Sequence, residues 1–257
     1  MEKSRIKILC LGYNESSVVD FFRSNKYDLF VTDRKISLDE IYSYCPDWII
    51  SYGYRHIIKR PVIERYKNKI INLHISYIPW NRGVSPNLWS FLESTEKGVT
   101  IHYLDEGIDT GDILFQRKVK FNKDETLRTS YDKLRLELER LFVENWDKVI
   151  SGKVTPMKQD LNAGTYHSKD ETDEIMKKLK IDSWDMNVEE LANKRTDEEI
   201  IGEIQEIRAK NNTYWMDVVR LAFRLAPEEA RSIFKKIKRC DHDINNLLNQ
   251  LADNDME

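Results

Sequence analysis

Short hydrophobic runs punctuate the first half of the chain, with helix-length segments between several of them. Three runs, RIKILCLG from Arg5, DWIISYG from Asp47 and KIINLHI from Lys69, are almost unbroken and rich in β-branched residues. Such runs are typical of parallel strands that are covered on both faces. Further apolar runs begin at Gly98 and Asp112. The pattern predicts an α/β, Rossmann-like domain with a mostly parallel sheet, followed by a smaller, mainly helical C-terminal region.

The segments after the sheet have helical periodicity. Residues 125–150 place apolar side chains on one stripe and predict a long amphipathic helix. Thr196 and Glu199 fit a capping box, the asparagines at 211–212 predict a break, and Pro227 predicts another helix start. We expect three parts: a catalytic domain at 1–152, a connecting segment at 153–195 and a helical appendage at 196–257, which could mediate dimerisation.

Composition narrows the class of protein. No apolar run in the 257 residues approaches a membrane-spanning length, and the N-terminus does not resemble a secretory signal. The widely spaced cysteines, Cys10, Cys45 and Cys240, are simplest to explain as reduced thiols. A net charge of -3 disfavours a long nucleic acid as partner. We therefore expect a cytoplasmic protein with no membrane or nucleic-acid partner.

Two polar residues stand at the end of an otherwise hydrophobic run. Asn72 and His74 are two positions apart, so in a strand their side chains project to the same face. In a parallel α/β sheet, ligands bind beyond the carboxyl ends of the strands. Taken alone, the pair fits a structural role at least as well, with Asn72 capping a loop and His74 packed in the interior.

Carboxylates gather downstream in a glycine-punctuated loop. Within GVTIHYLDEGIDTGDIL, the acidic residues are Asp105, Glu106, Asp109 and Asp112. An amide can stabilise an oxyanion, an imidazole can move protons, and a carboxylate can orient the imidazole, so the combination suggests acyl-type transfer. A metal hydrolase is the competing interpretation, with mixed oxygen and nitrogen ligands drawn from His74, His102, Asp105, Asp109 and Asp112.

INLHISYIPWNRG followed by GVTIHYLDEGIDTGDIL resembles the N10-formyltetrahydrofolate-dependent formyltransferases, which include glycinamide ribonucleotide and methionyl-tRNA formyltransferases. The family pattern is Asn-x-His-x-Ser-x-x-Pro, then a strand with His, then Asp in a glycine-bounded loop. The resemblance extends from about Arg5 to Ile150. The matching residues are Asn72, His74, Ser76, Pro79, His102 and Asp109.

The resemblance implies a catalytic triad and a co-substrate. Asn72 and protonated His74 would stabilise the tetrahedral oxyanion, while Asp109 would hold the geometry and help to relay protons. N10-formyltetrahydrofolate would donate the formyl group, and no metal is implied. The residues that would line the folate site are Gly53, Arg55, His56, Ile57 and Ile58, with Leu104 and Gly107 opposite.

The acceptor is implied by the loop SYIPWNRGVSPNLWSF, which is similar to that of bacterial sugar N-formyltransferases. Those enzymes formylate nucleotide-linked amino deoxysugars, and we expect a dTDP-linked sugar destined for lipopolysaccharide O-antigen or capsule. The acidic helical tail argues against tRNA as the acceptor. The alternatives that stay open are a methionyl-tRNA formyltransferase-like enzyme, another amine formyltransferase and a non-catalytic folate-binding protein. The acceptor candidates are Ser76, Tyr77, Trp80, Asn81, Arg82 and Asn87, with Tyr166, His167 and Lys169 weaker.

Overall fold

The computed structural model describes residues 5–195 and 197–252, which divide into two compact units. The first unit ends at Lys194 and the second begins at Arg195. The strands are β1 (Lys7–Gly12), β2 (Asp28–Thr32), β3 (Trp48–Tyr52), β4 (Ile70–His74), β5 (Arg82–Gly83), β6 (Gly98–Tyr103), β7 (Ile113–Lys118) and β8 (Tyr166–His167). The helices are α1 (Ser17–Ser24), α2 (Leu38–Tyr44), α3 (Arg60–Arg65), α4 (Pro86–Leu92), α5 (Leu127–Ile150), α6 (Lys169–Lys178), α7 (Val188–Ala192), α8 (Asp197–Leu225) and α9 (Pro227–Ala252).

A six-stranded sheet forms the centre of the first unit, in the order β2-β1-β3-β4-β6-β7. The first four strands are parallel, whereas β6 runs antiparallel to β4 and β7 antiparallel to β6. The predicted mostly parallel sheet is therefore confirmed. Because β4 is the last strand of the parallel set, its carboxyl end lies where the strand direction reverses.

Hydrophobic side chains cover both faces of this sheet. On one face, α1 and α5 pack through Phe22 and Trp146, whose ring centroids lie 5.1 Å apart. On the other, Leu9 and Ile49 of the sheet pack against Ile41 of α2. The unbroken apolar runs of β1 and β3 are thus explained, since alternate residues are buried in opposite layers.

Residues 153–194 of the segment that the sequence predicts as a connection lie within the first compact unit. Strand β8 pairs in parallel with β5. Leu179 and Leu191 are buried against Leu88 of α4. Backbone bonds also tie the segment to α5, as the N–H of Leu127 donates to the carbonyl of Met186 at 3.0 Å. These partners are distant in sequence, and the local pattern therefore did not reveal them.

Two long helices make up the described part of the second unit. Phe223 of α8 and Phe234 of α9 contact each other at 5.5 Å between ring centroids. Pro227 begins α9 as predicted, but the break at 211–212 was wrong because α8 continues through both asparagines. Asparagine costs a helix interior only a few tenths of a kcal/mol, roughly, which neighbouring helical residues offset. Among the described residues, no helix is both long and apolar enough to cross a membrane.

Some of the predicted C-terminal features cannot be compared with the structure. The capping box assigned to Thr196 lies outside the described residues, as do positions 253–257 of the predicted appendage. The remainder of the predicted appendage, 197–252, is helical apart from the junction before α9.

Two leucines of α5 test the central packing. Leu138 is 0% exposed and Leu136 is 61% exposed, and they lie two positions apart on the same helix. Leu138→Ala should lower the free energy of unfolding by about 3 kcal/mol, because it removes buried methyl groups and leaves a cavity. Leu136→Ala, the matched control, should change it by less than about 0.5 kcal/mol. Urea titration followed by tryptophan fluorescence measures both; equal effects would contradict the assigned packing.

Candidate active site

The predicted Asn-x-His pair lies at the carboxyl end of β4. Strand register places Asn72 beside Ser51 of β3 and opposite His102 of β6. Because β6 is antiparallel to β4, the chain leaves β6 on the side of Ile71 and must turn back toward the carboxyl end of β4. That turn contains Asp109 and brings it to Asn72 and His74.

The amide of Asn72 is held in one orientation by two acceptors. Its Nδ2 donates to Asp109 Oδ1 at 3.0 Å and lies 3.2 Å from Nε2 of His102. Nδ1 of His102 donates to the carbonyl of Tyr103 at 2.7 Å, so Nε2 is the accepting nitrogen when the ring holds a single proton. Both amide hydrogens of Asn72 are therefore engaged.

Asp109 is a nearly buried carboxylate, with an 11% exposed side chain and a positive φ of 54°. Its second oxygen, Oδ2, accepts the N–H of Gly83 at 2.9 Å. Burial alone would raise the pKa of Asp109, but the two histidine rings and the Gly83 N–H stabilise the charged form. Its pKa consequently lies well below the usual range, and the site contains a fixed negative charge.

His74 is 8% exposed and has a different partner at each ring nitrogen. Nε2 donates to the carbonyl of Asn81 at 3.2 Å, while Nδ1 lies 3.6 Å from Asp109 Oδ2. Burial lowers the pKa of His74 below its ordinary value, and the attraction of Asp109 only partly offsets this. This direction of shift favours the neutral imidazole, whereas the family resemblance implies a protonated His74.

These side chains line a cavity of about 690 Å³, within the range of small-molecule sites. Asn72, His74 and Asp109 lie on its wall together with His102. The structure thus brings the predicted triad together at one surface. Most of the expected folate residues also line this cavity, namely Gly53, His56, Ile57, Ile58, Leu104 and Gly107, whereas Arg55 does not.

The expected acceptor residues are mostly placed elsewhere. Asn87 lines the cavity, with its amide donating to the Leu127 carbonyl and to Ser130 Oγ, each at 3.0 Å. Asn81 and Arg82 are buried and bond to Thr165. The remaining candidates, Ser76, Tyr77 and Trp80, are absent from the lining of the large cavity.

The weaker acceptor candidates in β8 and α6 have structural contacts. His167 is buried and stacks on Trp89 at 3.7 Å between ring centroids. Lys169 forms an ion pair with Asp173 within α6. Tyr166 pairs with Arg82 in the small β5–β8 sheet. These contacts lie between residues 153–194 and the rest of the first unit, and none of the three candidates lines the large cavity.

The sequence analysis missed a polar cluster on the cavity wall. Arg135 of α5 stacks on the ring of Tyr13 at 4.4 Å, and the Tyr13 and Tyr131 hydroxyls are 2.5 Å apart. Glu139 accepts the Tyr52 hydroxyl at 2.9 Å and lies 3.5 Å from Arg135. The available signal was Arg135 beside the apolar stripe of α5, four residues after Tyr131. Trp184 completes this side of the lining.

The acidic loop does not form the alternative metal site. Asp105 Oδ1 accepts the Gly107 N–H at 3.1 Å and the Thr110 hydroxyl at 2.6 Å, so its carboxylate shapes the turn. Within residues 5–195 and 197–252, no group of three or more histidine, cysteine, aspartate or glutamate residues could hold a metal ion.

Comparison with known proteins identifies the family. A family model with the description "Formyl transferase" matches residues 13–145, just over half of the chain. The chain belongs to the formyl transferase family. Methionyl-tRNA formyltransferase of Clostridium novyi is 34% identical over 149 residues, which are 58% of this chain and 47% of that protein. The chain thus spans about half the length of the curated relatives that it matches.

Solved formyltransferases share the fold. PseJ from Anoxybacillus kamchatkensis, crystallised with UDP-4,6-dideoxy-4-formamido-L-AltNAc and tetrahydrofolate, is 43% identical with a TM-score of 0.68; the match covers 72% of this chain and 97% of PseJ. A 4-N formyltransferase from Francisella tularensis is 25% identical with a TM-score of 0.57, covering 73% and 86%. WlaRD, a sugar 3N-formyl transferase solved with dTDP and 5-N-formyl-tetrahydrofolate, is 26% identical with a TM-score of 0.54, covering 65% and 71%.

The coupling between His74 and Asp109 can be measured by titration. Asp109→Asn removes the negative charge that favours the imidazolium, so the pKa of His74 should fall further below its ordinary value. NMR titration of the ring resonance, assigned by its loss in His74→Asn, measures the change. Asp112→Asn removes a carboxylate that does not line the cavity and should leave the titration unchanged. An unchanged or raised pKa in Asp109→Asn would disprove the coupling.

Proposed function

We propose that this protein transfers a formyl group from N10-formyltetrahydrofolate to the amino group of a nucleotide-linked amino sugar. Formyl transfer is supported above all by the position of Asn72, His74 and Asp109 beside one another on one cavity wall. An oriented amide, a neutral imidazole and a fixed carboxylate are the groups that acyl transfer to an amine requires. The sugar acceptor is supported by 43% identity to PseJ over almost all of PseJ.

The large cavity fits the folate donor in size and chemistry. Its volume of about 690 Å³ suits a ligand with a bicyclic head group. Ile57, Ile58 and Leu104 provide apolar wall, and Gly53 leaves backbone accessible without a side chain. When bound, the donor supplies the formyl group, whose carbon must lie beside Asn72 and His74.

His74 is suited to receive the proton that the attacking amine loses. Its Nε2 proton is bound to the Asn81 carbonyl, so the lone pair of Nδ1 is available. The Asp109 carboxylate, 3.6 Å away, stabilises the imidazolium that forms. The proton then passes to N10 as the bond between N10 and the formyl carbon breaks. A neutral His74 as proton acceptor replaces the protonated His74 expected from the resemblance.

Asn72 can bind the oxyanion by releasing one of its present bonds. Its amide donates to an anionic oxygen of Asp109 and lies 3.2 Å from Nε2 of His102. Hydrogen bonds to charged acceptors are the stronger ones, so the N–H directed at His102 is the one that can turn to a developing oxyanion. Asp109 and His102 together would position the amide before the substrates bind.

A more specific proposal concerns the nucleotide and the position of the amine in the acceptor. We favour a UDP-linked 4-amino sugar because PseJ was crystallised with a UDP-linked 4-formamido product. The dTDP sugar expected from the sequence remains the alternative, supported by WlaRD at 26% identity. Cytoplasmic location and use of the product in O-antigen or capsule stay predictions.

A formyl-transfer assay with N10-formyltetrahydrofolate tests the function. UDP- and dTDP-linked 3-amino and 4-amino dideoxysugars serve as acceptors, and mass spectrometry detects the addition of one formyl group. We expect a single preferred acceptor, a UDP-linked 4-amino sugar. His74→Asn should lower kcat by at least about a hundredfold, in the range for loss of a general base, and retain folate binding.

The matched control for that substitution is His242→Asn, which changes an exposed histidine of α9 that does not line the cavity. It should keep kcat within a few-fold of the wild type. Formylation of methionyl-tRNA without formylation of any sugar would overturn the acceptor. Folate binding without transfer to any amine would favour a non-catalytic folate-binding protein.

The helices of the second unit support a further proposal about assembly. Large apolar side chains along α8 and α9 are exposed, including Trp215, Leu221 and Ile237. We propose that this unit mediates homodimerisation, since pairing would cover such residues. Full-length protein should therefore have the mass of a dimer in light scattering, and protein ending at Lys194 that of a monomer. The same assembly for both would contradict the proposal.

A further inference from the structure

A second cavity adjoins the large one. It has a volume of about 280 Å³ and lies among the residues before and within α2, the loop after β3 and the start of α3. Tyr54, Ile57 and Ile58 line both cavities. Because they share this wall, a ligand longer than the large cavity can continue past these residues into the smaller one.

The boundary between the cavities is apolar and unusually exposed. Ile57 is 91% exposed, whereas its neighbour Ile58 is half-buried and packs on the core with Tyr54. Burial of an exposed isoleucine side chain is favourable because it removes apolar surface from water. A planar apolar group that bridges the two cavities would cover Ile57.

Two lysines give the second cavity a positive charge. Lys35 precedes α2 and Lys59 precedes α3, and both line the cavity. Across the described part of the chain, neither ammonium group has a hydrogen-bonding or ion-pair partner. Such cations, positioned beyond an apolar boundary, are suited to carboxylate groups at the end of a partly aromatic ligand.

The neighbouring acidic residue does not neutralise these lysines. Glu40 of α2 pairs with Arg34 and accepts the backbone N–H and hydroxyl of Ser37, at 3.0 and 2.8 Å. The Arg34 hydrogen bond, followed by those from Ser37, lowers the pKa of Glu40 to about 2. Its negative charge is therefore already matched by Arg34, and the charges of Lys35 and Lys59 are left in excess.

We propose that the second cavity binds the glutamyl tail of the folate donor. The tail carboxylates pair with Lys35 and Lys59, and the aminobenzoyl ring covers Ile57. Along the protein, the order is a large mixed cavity, an apolar boundary and a cationic pocket; along the donor, it is pterin, aromatic ring and anionic tail. This inference rests on the proposed function, and it predicts that additional glutamates, each an added negative charge, strengthen donor binding.

Donor kinetics with two tail lengths test the proposal. KM is measured for monoglutamyl and triglutamyl N10-formyltetrahydrofolate, with the wild type, the double variant Lys35→Ala/Lys59→Ala and the control Lys67→Ala/Lys153→Ala. The control removes the same charge at exposed positions outside both cavities. The double variant should raise KM for the triglutamate by about fivefold, as expected for two exposed ion pairs, with a smaller rise for the monoglutamate and unchanged kcat.

Salt provides a second readout, because screening weakens exposed ion pairs. The preference of the wild type for the triglutamate should diminish as ionic strength rises. The proposal is wrong if the wild type shows no tail-length preference, or if the double variant and the control change both KM values equally.

Calorimetry with monoglutamyl and triglutamyl 5-formyltetrahydrofolate distinguishes failure of the tail site from failure of the proposed function. Tighter binding of the triglutamate, lost in the double variant, supports the tail site independently of turnover. Equal binding of both folates overturns the tail site alone. Binding of neither folate overturns the proposed function, and the tail site with it.

Discussion

The buried carboxylate of Asp109 is the interaction on which the geometry of the site depends. It accepts the amide of Asn72 at 3.0 Å and the backbone N–H of Gly83 at 2.9 Å. A buried negative charge without such donors would cost several kcal/mol, so these bonds are required for the acidic loop to close over the sheet. One carboxylate thereby aligns β4, the loop after β6 and strand β5, and it determines how Asn72 and His74 face the cavity.

The segment between His74 and Gly83 is held by a second layer of contacts. Asn81 bonds to Thr165, and β5 pairs with β8, so residues far along the chain support the loop that contacts Asp109. Asn81, which the sequence predicts as a contact to the acceptor, thus contributes to the site through its backbone carbonyl. The Asn81 carbonyl accepts a hydrogen bond from His74 Nε2, and the Gly83 N–H donates to Asp109.

Another part of the cavity wall has a different chemical character. It contains the Arg135 and Tyr13 stack, joined through Tyr52 to the buried Glu139. A cation held among aromatic rings beside a cavity suits an anionic, partly planar ligand.

The sequence by itself determined the sheet and the candidate catalytic side chains. Unbroken β-branched runs define strands by local physics, and the Asn72-x-His74 spacing places both side chains on one face of β4. Tertiary structure decided the rest, because packing partners distant in sequence leave no local pattern. It showed that β8 completes the first unit, that burial lowers the pKa of His74, and that Arg135 on α5 reaches the cavity. Alternation along a strand is a property of the chain itself, whereas burial and charge depend on what the folded chain brings beside each residue.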